Sequence, residues 1–147
     1  MKLTAFTDYS LRVLIFVATA PQGRATIAQV ATAFGISENH LVKVVHMLGR
    51  EGLLVNTRGR GGGLALARAP REINVGALVR LTEGESIPAE CFREGGHCAI
   101  GRVCRLAGLF DSALAAFYAV LDECTLADLV QNRRALAHIL HFQPQAA

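Results

Sequence analysis

Apolar residues recur at helical spacing from near the start of the chain. Leu11, Leu14, Ile15 and Ala18 follow i, i+3, i+4, i+7, the stripe of an amphipathic helix. Pro21-Gln22-Gly23 closes that helix. Thr26 is placed to cap a second, short helix with Ile27, Val30, Ala31 and Phe34 on one face, and Gly35 supplies its stop. Ser37 then caps a third, in which Leu41, Val44, Val45 and Leu48 repeat the spacing. Two short amphipathic helices joined by a tight Gly-containing turn predict a helix-turn-helix.

The opposite face of the third helix carries Asn39, His40, Lys43, His46 and Arg50. With the Ser37 hydroxyl, these are donors suited to phosphates and base edges. Any exposed helix has such a polar face, so the following segment decides. Leu53–Val55 and Leu64–Ala67 read as two short strands around Asn56-Thr57-Arg58-Gly59-Arg60-Gly61-Gly62-Gly63. A hairpin loop uses glycine for φ > 0 positions, but it does not require Arg58 and Arg60 at its tip. A helix-turn-helix followed by an Arg/Gly hairpin predicts a winged helix whose wing reaches phosphates or a minor groove.

Arg71–Gly84 holds a further predicted helix, capped at Asn74 and packed through Val75, Leu78 and Val79. A Gly-rich loop follows, and then a long helix from Arg102 to Glu123. Leu106, Phe110, Ala113, Phe117, Val120 and Cys124 run along it at 4-3-4-3-4, a heptad seam. Its 22 residues would span roughly 33 Å, more than a winged helix alone covers, and a second copy of the chain is the economical partner. A homodimer would present two recognition helices to one palindromic duplex. Thr125–His141 is expected to fold back as a final helix. The predicted class is therefore mainly α, a winged helix-turn-helix with a long C-terminal dimerisation helix. The expected division is 1–84 for DNA binding, 85–101 as a cysteine loop and 102–147 for dimerisation and the last helix.

Composition sharpens this picture in two places. Residues 1–68 hold eight Lys/Arg against three Asp/Glu, whereas residues 69–147 hold seven against nine. The basic half coincides with the helix-turn-helix, the electrostatic footprint of a nucleic-acid contact. Lys2, Val13–Ala18 and Ala18-Thr19-Ala20 imitate an export signal, but Asp8 and Arg12 interrupt it and leave an apolar run of six, too short for a signal core. No stretch is long enough to cross a membrane. A cytoplasmic protein is expected, in which cysteines act as thiols or ligands rather than disulfides.

Cys91, Cys98 and Cys104 have the spacing C-x6-C-x5-C. That is too loose for a structural zinc site and one ligand short of a closed one. Three thiolates that borrow a fourth donor suit a reactive iron–sulfur cluster, since soft sulfur ligands hold such clusters. A metal-sensing regulator is the reading, with a thiol or zinc sensor and a small electron-transfer module as alternatives. No nucleophile–base pair, phosphate loop or paired-carboxylate pattern points to an enzyme.

Several segments together resemble the Rrf-two family of bacterial winged-helix regulators. They are Met1-Lys2-Leu3-Thr4 with Thr7-Asp8-Tyr9, Ile36-Ser37-Glu38-Asn39-His40-Leu41-Val42-Lys43-Val44, Gly59-Arg60-Gly61-Gly62-Gly63-Leu64-Ala65-Leu66-Ala67, and the three-cysteine loop before a long helix. The likeness is greatest to the family's nitric-oxide-sensing branch. It implies a repressor carrying a 4Fe–4S cluster on Cys91, Cys98 and Cys104, with Asp8 of the partner subunit as fourth ligand and nitric oxide as the signal. A 2Fe–2S branch uses a histidine three residues beyond the last cysteine, a position held here by Ala107. A two-iron cluster is kept only as an alternative. His97 competes with Asp8 for the fourth position. Arg12, one turn from Asp8, is either an ordinary ion-pair partner or the residue that orients the ligand. Cys124 reads as seam packing, and His138 and His141 as ordinary residues of the last helix.

Overall fold

The computed structural model describes residues 3–57, 62–84, 98–100 and 103–141. The chain forms two compact units, one made of Met1–Ile73 with Thr125–Ala147 and the other of Asn74–Cys124.

In the first unit, α1 (Ala5–Thr19), α2 (Ile27–Phe34) and α3 (Glu38–Arg50) lead into a hairpin of β1 (Leu54–Thr57) and β2 (Gly63–Leu66). The caps follow the sequence. Thr4, Thr26 and Ser37 each accept a backbone N–H of the first turn, and Gln29 completes a capping box at α2. Gly35 ends α2 at φ 64°, a left-handed conformation that a side chain resists. The turn into α3 is tight for that reason. The hairpin is antiparallel, with Leu54 opposite Leu66 and Thr57 opposite Gly63. Ala25 forms an isolated bridge on the other edge of β2, exchanging backbone hydrogen bonds with Leu64 at 3.0 and 2.7 Å. Gly63 allows this close approach, because a Cβ there would lie 2.8 Å from the Ala25 carbonyl oxygen. At the other end of β2 the Arg68 guanidinium donates to the carbonyls of Gly52 and Glu51 at 3.0 and 3.3 Å, tying the wing to the end of α3.

The core of this unit is apolar: Val13, Leu14, Val17, Val30, Leu41, Val44, Leu48, Leu54 and Leu64 are almost fully buried. For α2 and α3 the buried face is the one the periodicity predicts. On α1 it is rotated. Thr7, Ser10, Val13, Leu14 and Val17 are buried, whereas Leu11, Ile15 and Ala18 are half-buried. Hydroxyls are admitted to the buried face because each has a partner close by in the chain, the Thr4 cap for Thr7 at 3.2 Å and helix carbonyls for the other two. Ser10 donates to the Phe6 carbonyl at 2.7 Å and Thr19 to that of Ile15 at 2.9 Å. The predicted final helix is two, α6 (Leu126–Leu129) and α7 (Arg133–His141). A capping box between Thr125 and Asp128 starts α6, and the Asn132 carbonyl begins a fresh turn by accepting from Ala135 and Leu136. α7 packs on α1.

The second unit pairs α4 (Val75–Glu83) with α5 (Leu106–Asp122). Asn74 caps α4 and Gly84 ends it, as predicted. Arg80 binds the Asp122 carboxylate through both terminal nitrogens at 2.6 and 2.7 Å, lies over the Tyr118 ring at 4.2 Å, and the Tyr118 hydroxyl donates to the Gly84 carbonyl at 2.8 Å.

On α5 the residues of the predicted seam divide between two neighbouring faces. Phe110 and Phe117 share a half-buried face with Ala107, Leu114 and Leu121, around buried Tyr118. The exposed apolar face comprises Leu106, Leu109, Ala113, Ala116 and Val120, at 3-4-3-4. Leu106, Leu109 and Val120 are 46%, 64% and 68% exposed. Tyr118 and Asp122 make the described contacts with α4, while Leu106, Leu109 and Val120 stay on the outer face. Among the described residues, no helix is long and apolar enough to cross a membrane.

Candidate nucleic-acid interface and metal-ligand residues

The exposed face of α3 is set by its buried one. With Leu41, Val44, Val45 and Leu48 facing the core, Asn39, Lys43, His46 and Arg50 point together to solvent at i, i+4, i+7, i+11. Ser37 stands at the N-cap, its hydroxyl accepting the His40 N–H at 3.4 Å. Arg50 is exposed and its Nε lies 3.1 Å from Glu51 Oε1. Such an exposed pair is weak and is readily exchanged for a phosphate. His40 sits at the edge of this face, its ring against that of Tyr9 on α1 with centroids 6.2 Å apart and planes at 30°. The wing strands are in place, but Arg58 and Arg60 lie outside the described residues.

Asp8 stands in the first turn of α1, and Arg12 Nε donates to its Oδ1 at 2.9 Å. Both side chains are almost half exposed. The Arg12 guanidinium also lies 5.4 Å from the centre of the Phe34 ring, at the end of α2. A carboxylate near a helix N-terminus is favourable to the dipole, so the position is stable whether or not it has a further role.

Of the loop cysteines, Cys98 and Cys104 are described. Both are half-buried and carry free thiols. Cys104 Sγ accepts the Leu106 N–H at 3.3 Å, at the head of α5, so a donor is already aimed at this sulfur. Hydrogen bonds to sulfur are among the factors that set a cluster's potential. Cys91 and His97 lie outside the described residues, and among those described no three His, Cys, Asp or Glu side chains gather as a metal site. The donor chemistry fits an iron–sulfur cluster: soft, half-exposed sulfurs, one with an N–H donor. Cys124 is half-buried rather than sealed in a seam, and its carbonyl accepts the Val75 N–H at 2.9 Å.

Sequence reasoning missed three contributors. Tyr9 carried no mark of its contact with His40. Arg68 gave no hint that it braces the wing. His141 is not an ordinary helix residue, since its ring lies 4.2 Å from that of Phe16 and its Nε2 is 3.2 Å from Thr19 Oγ1. Burial there holds its pKa below the ordinary imidazole value.

A helix-turn-helix with a braced β-hairpin and a polar stripe along its second helix defines a winged-helix DNA-binding regulator. The chain belongs to the Rrf2 family, described as iron-dependent transcriptional regulators, whose model matches residues 3–132. It is 45% identical over 146 residues to the HTH-type transcriptional regulator NsrR of Halalkalibacterium halodurans, covering 98% of this chain and 100% of that protein. It is 46% identical over 145 residues to the NsrR of Bacillus subtilis, covering 97% and 99%. Among solved structures it is similar to CymR, the global cysteine regulator of B. subtilis, with a TM-score of 0.72, 26% identity and coverage of 90% of this chain and 98% of that one. It is equally similar to IscR of T. potens, with a TM-score of 0.72, 26% identity and coverage of 90% and 88%.

Proposed function

We propose that the protein is a homodimeric, cytoplasmic repressor that senses nitric oxide through an iron–sulfur cluster and releases its palindromic operator when that cluster is nitrosylated or lost. The observation that carries this reading is the presence, in one chain, of a solvent-facing polar stripe on α3 and of half-exposed thiols at Cys98 and, at the head of α5, Cys104. The 45% identity to proteins named NsrR supports the choice of signal.

Residues 1–84 serve DNA binding, residues 85–101 together with Cys104 the cluster, and residues 102–147 otherwise dimerisation and the last helix. Cys91, Cys98 and Cys104 hold the cluster, with the partner subunit's Asp8 as fourth ligand and His97 as its competitor. A 4Fe–4S form is preferred. When bound, the cluster supplies iron that reacts with nitric oxide. Asn39, His40, Lys43, Arg50, Arg58 and Arg60 contact DNA, and the Ser37 cap fixes the turn that enters the groove. The exposed stripe Leu106, Leu109, Ala113, Ala116 and Val120 meets a second copy, which spaces two α3 helices for a two-fold site. Arg12 keeps the Asp8 carboxylate oriented until it is engaged, and then takes part in the exchange between the two arrangements.

The switch is energetically demanding. Moving it from 99:1 to 1:99 takes about 5.5 kcal/mol of differential stabilisation. The Asp8–Arg12 pair alone, exposed as it is, falls far short of this, whereas ligand bonds made in only one state reach it. Cys98→Ala is the test. The variant should stay folded by circular dichroism and lack the cluster's visible absorption; a retained 4Fe–4S spectrum would remove Cys98 from the ligand set.

A further inference from the structure

Asp8, Tyr9 and Arg12 occupy one stretch of α1, and two of them reach the helix-turn-helix. Arg12 lies over Phe34 at the end of α2. Tyr9 stacks on His40, the third residue of α3. The first turn of a recognition helix is the part that meets base edges. His40 is exposed there, and its backbone is already pinned by the Ser37 cap. The freedom left to it is side-chain rotation, and the half-buried Tyr9 ring is the surface that limits that rotation. Aromatic pairs prefer offset faces with centroids about 4.5–7 Å apart, and the observed 6.2 Å and 30° fall in this range.

We infer that Tyr9 is a positioning residue for DNA reading. Its ring holds the His40 imidazole in the orientation that enters the groove, so a displacement of α1 at Asp8 reaches the base-reading turn of α3 through one side-chain contact. This deepens the proposed function and rests on Asp8 being a cluster ligand. Tyr9 directly follows Asp8 in the chain, so a shift of the Asp8 backbone cannot leave Tyr9 in place. The Arg12–Phe34 contact moves α2 instead, and α2 presents no residue to the groove-facing stripe.

The test is a double-mutant cycle on the cluster-loaded, full-length protein. The probe is a duplex selected by the wild-type protein from a random-sequence pool, with a non-selected duplex as comparison. Tyr9→Leu should weaken binding of the selected duplex by about 2- to 10-fold and leave the non-selected duplex unchanged. Tyr9→Phe, which keeps the ring face, should bind like wild type. Tyr9→Leu combined with His40→Ala should be no weaker than His40→Ala alone, because residues that act as a pair are not additive. Each variant's visible spectrum should match wild type.

Losses that multiply in the double variant would overturn the inference, as would a Tyr9→Leu loss shared equally by both duplexes, which marks a purely structural role. A His40→Ala variant that binds the selected duplex like wild type would overturn it as well. Loss of the cluster band in Tyr9→Leu would place Tyr9 at the metal instead and overturn it too. Asp8→Ala separates the two readings. An unchanged cluster spectrum there removes Asp8 as ligand and, with it, the signal route, whatever the Tyr9–His40 cycle shows.

Discussion

Gly76, in the first turn of α4, is the position where two general rules give opposite signs. Its backbone is not left-handed, so alanine meets no conformational objection. An exposed helix position would gain about 0.5–1 kcal/mol from Gly→Ala. Here, however, a Cβ would overlap the Asp122 carboxylate and come within 3.0 Å of the Asp122 backbone nitrogen. The carboxylate can swing away by giving up its two hydrogen bonds to Arg80. The backbone nitrogen cannot. Two hydrogen bonds anchor that backbone, Asn74 Nδ2 to the Asp122 carbonyl at 2.7 Å and the Val75 N–H to the Cys124 carbonyl at 2.9 Å. Overpacking costs about 1–3 kcal/mol, and straining either bond adds on the order of 1 kcal/mol. Gly76→Ala should therefore destabilise by roughly 2 kcal/mol after the helix gain is subtracted. Gly108→Ala, in α5 with nothing within 4 Å of the new carbon, should stabilise by about 0.5–1 kcal/mol. Urea unfolding followed by far-ultraviolet circular dichroism reads both. Two stabilised variants would refute the close α4–α5 contact at Asp122.

Leu48→Ala, at a fully buried site on the core face of α3, should cost about 2–5 kcal/mol in urea unfolding; a loss below 1 kcal/mol would mean that α3 is not seated on this core. Lys43→Ala should weaken binding to selected and non-selected duplexes alike and flatten the salt dependence of log K by about one unit, and an unchanged slope would take Lys43 off the phosphates. Acid should destabilise the protein through three groups, the first being Asp128, whose carboxylate is held below its ordinary range by hydrogen bonds from Thr125. Asp122 is held below the ordinary carboxylate range by its hydrogen bonds to Arg80, so its contribution is present above that range and lost as pH falls through its lowered value. His141 is lowered by burial, so the unfolded chain takes up that proton first and stability falls as pH drops below about 6.5. Melting temperatures across pH should show His141→Gln flattening the upper part of this decline and Asp122→Asn the lower part; unchanged profiles would contradict both assignments.

The parts of the fold fixed by local chemistry were legible in the residues. Thr26, Ser37, Asn74, Gly35 and Gly84 mark helix ends because side-chain oxygens and left-handed turns act within a few residues, and the stripes of α2 and α3 face a single core. The parts decided by distant partners were not. α5 offers two neighbouring stripes of similar spacing, and its packing on α4 through Tyr118 and Asp122, which no local pattern announces, sets which side is covered. The rotation of α1 likewise depends on hydroxyls satisfied by its own carbonyls, so polarity alone misplaces Ser10 and Thr19. The break before α7 did leave a trace, since Thr125 and Asp128 form a capping box and Asn132 favours a helix start. For the site, Asp8–Arg12 follows from i, i+4 spacing. Tyr9–His40 and His141–Phe16 join residues far apart in sequence, and no local pattern announces them.

Whether the cluster gates DNA release is decided by anaerobic titration of freshly isolated protein with nitric oxide, following visible absorption and binding to a selected duplex in the same samples. A broad brown 4Fe–4S band should bleach in step with release of the DNA. A colourless protein that binds DNA, or a band that bleaches while the DNA stays bound, would contradict such gating.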